Sequence, residues 1–221
     1  MKRFVLLLSA FLALLFSANA QTTVFSEDFE GTTLSVTSSS QTGTNAWGLS
    51  STFKVSGTYS DSATVALGDT TYLTTNSFAT TGSSIVSLQF KHICKIDWMD
   101  AATIEISTDN GVTWVPLTGA HYTGSSQFGS IGNKFASHAY PIDWNAAAPT
   151  AIPTSSWWKT ETFNLSTLAP NKANVKLRFV LADAGGMGSN GTYGWLIDDI
   201  LVTVPSQQEA TAIRYFMPYA L

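Results

Sequence analysis

The chain has 221 residues, with 11 Lys and Arg against 15 Asp and Glu for a formal charge of −4, and charged residues are only 12% of it. That is about half the share of an ordinary soluble domain, and without a basic cluster neither nucleic acid nor an anionic membrane surface is an expected partner. A single cysteine, Cys94, excludes an internal disulfide, so stability has to come from the core and from whatever the acids bind.

Residues 1–20 are predicted to be a signal peptide. Lys2 and Arg3 precede an apolar run over 4–16, and Ala18-Asn19-Ala20 offers a small-residue cleavage site. The run is too short for a membrane span, so the expected product is exported, either secreted or at the cell surface. One domain over 21–205 is expected, followed by a tail over 206–221 with no predicted element.

The first strand is expected over 24–29. Residues 31–62 are rich in Thr and Ser, with Trp47, Phe53, Val55 and Tyr59 as scattered anchors. Two short strands are expected at 65–67 and 71–74, on either side of a Gly68-Asp69 turn. Alternation is clearest over 85–97: Val86, Leu88, Phe90, His92, Cys94 and Ile96 share one face, and Ser87, Gln89, Lys91 and Lys95 share the other. A hairpin over 102–117 should turn at Asp109-Asn110-Gly111, because Asn-Gly supplies the positive φ values of tight turns. Residues 118–156 are irregular, and a stretch of that length inside a compact domain is often functional. Strands resume at 157–165 and 174–181, and a glycine-rich loop over 183–194 leads into a last strand over 194–204. Short strands divided by Gly, Asn and Ser turns indicate an all-β sandwich or barrel, with no helix after the leader.

The last strand poses a question. Its apolar residues fall on both faces, so it should be central and buried, yet it contains Asp198-Asp199. A buried carboxylate needs a cation, several donors or water, and the nearby sequence offers only Arg178 as a base. The opposite end of the chain is acidic too, in Glu27-Asp28-Phe29-Glu30. Pairing of the first and last strands would bring the two clusters together, with calcium as the most economical ion for hard oxygen ligands.

Three segments in order, Phe25-Ser26-Glu27-Asp28-Phe29-Glu30-Gly31, Ile104-Glu105-Ile106-Ser107-Thr108-Asp109-Asn110-Gly111-Val112-Thr113-Trp114 and Gly194-Trp195-Leu196-Ile197-Asp198-Asp199-Ile200, resemble the MAM and cleaved-adhesin group of exported domains. The resemblance covers about 24–204. It implies a two-sheet antiparallel jelly-roll sandwich and a structural calcium site near the paired ends, with Glu30 and Asp199 as first candidates and Asp28 and Asp198 as second. It implies no particular ligand. Residues 107–114 also resemble the Asp-box of sialidases; one box in a chain this poor in arginine reads as a stable hairpin.

Catalytic patterns are weak. His92 and Cys94 stand two apart on an apolar strand face, too far apart and too buried for a nucleophile pair. Asp97, Asp100, Glu105 and Glu161 are scattered acids that could serve a glycan hydrolase only if a cleft assembled them. The long irregular segment is more suggestive, because aromatic faces suit sugar rings. Tyr122, Tyr140, Trp144 and Trp157 are the expected ligand-binding residues, with carbohydrate or a cell-surface protein as partner. The alternative is that these rings pin the segment to the sandwich as a local core. A non-catalytic recognition or adhesion module is therefore expected, and a structural accessory domain of a larger exported protein is the second reading.

Overall fold

The structure is a computed structural model that describes residues 20–42, 47–64, 66–148, 151–183 and 192–206. The expected signal peptide up to residue 19, Val65, most of the glycine-rich loop and the tail from 207 lie outside the described residues. Eleven strands are described: β1 (Gln21–Glu27), β2 (Val36–Ser40), β3 (Trp47–Ser50), β4 (Ser60–Ala63), β5 (Thr70–Thr75), β6 (Ser87–Lys95), β7 (Ala101–Ser107), β8 (Val115–Pro116), β9 (Lys159–Asn164), β10 (Lys176–Ala182) and β11 (Gly194–Pro205). Three short helical turns, Ser137–Ala139, Pro141–Asn145 and Ser155–Trp157, interrupt the long irregular segment.

Two antiparallel sheets make a jelly-roll sandwich, one in the order β3-β4-β11-β6-β9 with β1 also on β11, the other β2-β5-β10-β7-β8. β11 is central: its apolar residues are buried along most of its length, and its edges pair with β1, β4 and β6. The inner faces meet in an aromatic core. Phe90 touches Phe135, Phe163 and Phe179 with centroids 6.2, 6.3 and 5.1 Å away, and Trp195 reaches Phe179 at 5.8 Å. Each such side chain contributes about 1.5–3 kcal/mol by burial, which lets this core dispense with a disulfide.

Four local expectations need correction. Ala66 and Leu67 do not form a strand; Leu67 is 70% exposed, and the strand lies earlier, at β4. The β4 sequence Ser60-Asp61-Ser62-Ala63 has no apolar alternation and is held as a strand by partners on both sides, Asp61 opposite Leu49 of β3 and Ile197 of β11. The hairpin after β7 has a longer loop than a two-residue turn. Asn110 and Gly111 do take positive φ, 63° and 94°. However, the Asp109 carboxylate accepts the N–H groups of Val112 (3.1 Å) and Thr113 (2.9 Å), so pairing resumes only at Val115. On β6 the outer face is open only as far as Lys91: Ile93 and Lys95 are buried, the latter with its ammonium on the carbonyls of Trp144 and Ala147. Finally, β11 does not alternate through its acids. A bulge shifts its register on β6 between Asp198 and Leu201, and Asp199 takes φ 49°.

Candidate functional site

The chain ends do pair, β1 on β11 with Glu27 opposite Ile200. The acids they carry converge on one loop between β3 and β4. Glu30 Oε1 accepts the N–H groups of Thr58 and Tyr59, both at 2.7 Å. Asp198 Oδ2 accepts Val55 N–H at 2.8 Å, and Asp199 Oδ1 accepts the Ser56 hydroxyl at 2.9 Å. The bulge explains why adjacent aspartates, expected on opposite faces, serve the same loop. Gly57 sits at φ 54° with no room for a Cβ against the Glu30 carboxylate. The missing cation is also found: Lys91 of β6 donates to Asp199 Oδ2 at 2.9 Å. Sequence proximity could not reveal this base, because sheet pairing delivers it. Backbone donation from Tyr59 and Thr58 lowers the pKa of Glu30, and burial raises that of Asp198.

For calcium the donor set is a poor match. Asp28 Oδ1 accepts Glu30 N–H at 3.2 Å, and Asp198 Oδ1 accepts Asp199 N–H at 2.8 Å. Glu27, buried in the same corner, accepts Phe29 N–H at 2.7 Å and Ser35 N–H. Among the described residues no group of three or more His, Cys, Asp or Glu side chains is arranged to hold a metal ion. Asp28 and Asp199 do line one shallow cavity of about 280 Å³, but the Lys91 ammonium lines it with them.

The four expected ligand-binding aromatics form a local core. Trp144 is fully buried and Trp157 nearly so, and Trp144 Nε1 donates to Trp157 O at 2.9 Å. Tyr122 and Tyr140 are half-buried and aim their hydroxyls inward at Glu161, at 2.5 and 2.7 Å. Glu161 is fully buried and also meets His92 Nε2 at 3.0 Å, while Trp195 Nε1 donates to His92 Nδ1 at 3.0 Å. Since Nδ1 accepts, the imidazole proton sits on Nε2 and points at Glu161. The carboxylate thus has three donors and no access to solvent. Burial, together with the Glu161 carboxylate, pushes the Tyr122 hydroxyl up to about 12 and Tyr140 higher still. This network fastens the irregular segment to β6, β9 and β11 and commits the Tyr122 and Tyr140 hydroxyls to Glu161.

The open aromatic surface lies elsewhere. Trp98, between β6 and β7, is 60% exposed, with Met99 beside it at 36%. Lys134 reaches across from the long segment and donates to three successive carbonyls, Trp98 (2.9 Å), Met99 (3.2 Å) and Asp100 (2.8 Å). Asp97 Oδ1 caps the same turn by accepting Met99 N–H at 2.9 Å. All three ammonium protons of Lys134 are used, so the turn is clamped with its indole outward. A groove of about 510 Å³ runs beside it, lined by Trp98, Met99, Gln127, Ile131, Lys134, Ala136 and His138. Beyond Trp98 and His138 lies a second cavity of about 160 Å³ that includes Lys95, Asp97 and Asn145. Of these residues, Asp97 stands out in the sequence as one of the scattered acids and Lys95 as an outer-face residue of its strand; Trp98 belongs to no motif or alternation there.

No family model matches the chain, and no curated protein matches it. Solved structures do share the sandwich at low similarity. The xylan-binding domain CBM22-1 of Xyn10C from Paenibacillus barcinonensis is 11% identical with a TM-score of 0.44, over 86% of this chain and 99% of that one. The K1 cleaved adhesin domain of Lys-gingipain from Porphyromonas gingivalis W83 is 13% identical at 0.45, over 85% and 99%. The module CBM6cm-2 of lichenase 5A from Cellvibrio mixtus, solved with cellotriose, is 10% identical at 0.41, over 84% and 100%. At these values the likeness concerns the arrangement of strands and does not assign a ligand.

Proposed function

We propose that this chain is a non-catalytic recognition module, exported and either secreted or held at the cell surface, that takes carbohydrate in the groove beside Trp98. The observation that carries this reading is an indole 60% exposed on a turn whose three carbonyls are fixed by one lysine. An exposed Trp normally costs apolar surface in water; one held rigid over a groove of about 510 Å³ offers a stacking face without an ordering cost on binding. The acids favour binding over turnover. Glu161 and His92 are sealed in the core and Glu105 is paired with Arg178; among the described residues no carboxylate lines the groove and only one, Asp97, lines the small cavity beside it, whereas a glycosidase requires two. Calcium, expected from the resemblance, is not required by this reading. An ion would have to draw the acids of the paired ends away from Lys91 and the backbone donors, and nothing in the groove depends on it.

The test is a glycan array followed by calorimetry on the chain without its leader. Binding that disappears in Trp98→Ala, with unchanged melting temperature, supports the reading. An array on which no glycan binds, or binding indifferent to Trp98, sinks it.

A further inference from the structure

The small cavity on the far side of Trp98 has its own chemistry. Lys95 is only 3% exposed, and its ammonium donates to the carbonyls of Trp144 and Ala147. The ammonium also lies over the Trp157 ring, 5.8 Å from its centroid, but among the described residues its third N–H has no oxygen acceptor and no carboxylate pairs with it. Burial lowers its pKa, as expected for a cation withdrawn from water without an anion. Two residues on, Asp97 lines the same cavity with one carboxylate oxygen given to Met99 N–H and the other free of protein donors.

Resting on the carbohydrate reading, we propose that this cavity is a second subsite which reads the hydroxyls of a neutral sugar, so that the ligand is a neutral glycan chain of two or more units laid across Trp98. A hydroxyl can accept from the Lys95 ammonium while it, or its neighbour on the ring, donates to Asp97. A carboxylate-bearing sugar would satisfy Lys95 but meet Asp97 with like charge. The formal charges of the two groups cancel, which matches a polyol better than an anion. Trp98 and His138 border both cavities, their rings 6.4 Å apart and nearly edge to face. A volume of about 160 Å³ matches a single sugar ring, whereas the larger, more apolar groove of about 510 Å³ accepts the next unit. One chain would therefore be held by stacking in the groove and by hydroxyl recognition beside it.

The experiment is calorimetry on the chain without its leader, using a ladder of a neutral oligosaccharide from one to four units and a uronic-acid chain of equal length. Affinity is expected to rise at least about tenfold from one unit to two or three and to favour the neutral chain. Asp97→Asn and Lys95→Met should each cost about tenfold on the oligosaccharide, the size of one charge-assisted hydrogen bond, and much less on the single sugar. If Lys95→Met melts early because two carbonyls lose their donor, the partly exposed Asp97→Asn carries the test alone. Equal affinity along the ladder, preference for the uronic chain, or an unchanged Asp97→Asn overturns the subsite while Trp98→Ala still abolishes binding. Loss of every glycan signal, or a silent Trp98→Ala, overturns the carbohydrate reading itself.

Discussion

Trp98 and Trp144 both lie in irregular stretches between strands, and both follow the dipeptide Ile-Asp, Ile96-Asp97 and Ile142-Asp143. Their fates are opposite. Trp144 is fully buried with its indole N–H on the Trp157 carbonyl and its ring 5.0 Å from His92, whereas Trp98 keeps 60% of its surface open. The difference lies in what the local backbone is tied to. Residues around Trp144 are fastened downward through Tyr140, Glu161 and His92, and a buried hydrogen-bonded network of this kind is all-or-none: once Glu161 is enclosed, every donor must come to it. The turn around Trp98 is fastened sideways by Lys134, which satisfies the carbonyls and leaves the ring nowhere inward to go. One arrangement spends aromatic surface on stability and the other leaves it open to solvent.

The largest expected break in this contrast comes from truncating each ring. Trp144→Ala should cost about 3–5 kcal/mol of unfolding free energy, while Trp98→Ala should stay within about 0.5 kcal/mol, both read by chemical denaturation. Comparable losses would mean that Trp98 is a core residue after all. Glu161→Gln comes next. Removing the charge that collects His92 and two tyrosines should destabilise by roughly 3 kcal/mol without first altering the groove.

The third prediction concerns Asp61 of β4, which is buried, and whose pKa is raised from 3.8 to about 6, mainly by burial, with Glu27 adding to it. A carboxyl more basic in the fold than in the unfolded chain binds its proton preferentially in the fold. Stability should therefore fall as pH rises from about 4 to about 6 and stay lower above it, by on the order of 2–3 kcal/mol. Asp61→Asn should flatten that slope and raise the melting temperature at pH 7; a steeper slope in the variant would contradict this assignment. Lys134→Met is a smaller and more selective change. Freeing the Trp98 turn should weaken glycan binding about tenfold while leaving the Glu161 network, and so most of the stability, intact. The smallest expected effect is that of calcium. With the terminal acids engaged by backbone donors and Lys91, millimolar calcium should leave the melting temperature unchanged, and a rise of several degrees would establish the metal expected from the resemblance.

Much of the fold was readable from residue order alone. Alternation over 85–97 gave β6 its core face from Val86 to Ile96, and the doubly apolar 194–204 run identified the central strand, because burial on one or two faces leaves a period-two trace. β4 left none, since Ser60-Asp61-Ser62 becomes a strand only through β3 and β11. The candidate site was less readable for a related reason. Tyr122, Tyr140, Trp144 and Trp157 have the composition of a sugar site, and composition is silent on which way a ring points. Trp98 carried no signal of its own, because the clamp that exposes it comes from Lys134, 36 positions from it in the chain.

Residue order by itself determined the all-β class, the central last strand and the poverty of catalytic patterns, since each depends on local periodicity or on charge content. Tertiary structure alone decided where the acids find their partners, which aromatics are sealed and which is displayed. Those outcomes depend on contacts between distant segments: Lys91 with Asp199, Glu161 with His92, Lys134 with the Trp98 turn. No local pattern encodes such a contact, because its energy exists only once the sheets have brought the two groups within hydrogen-bond reach.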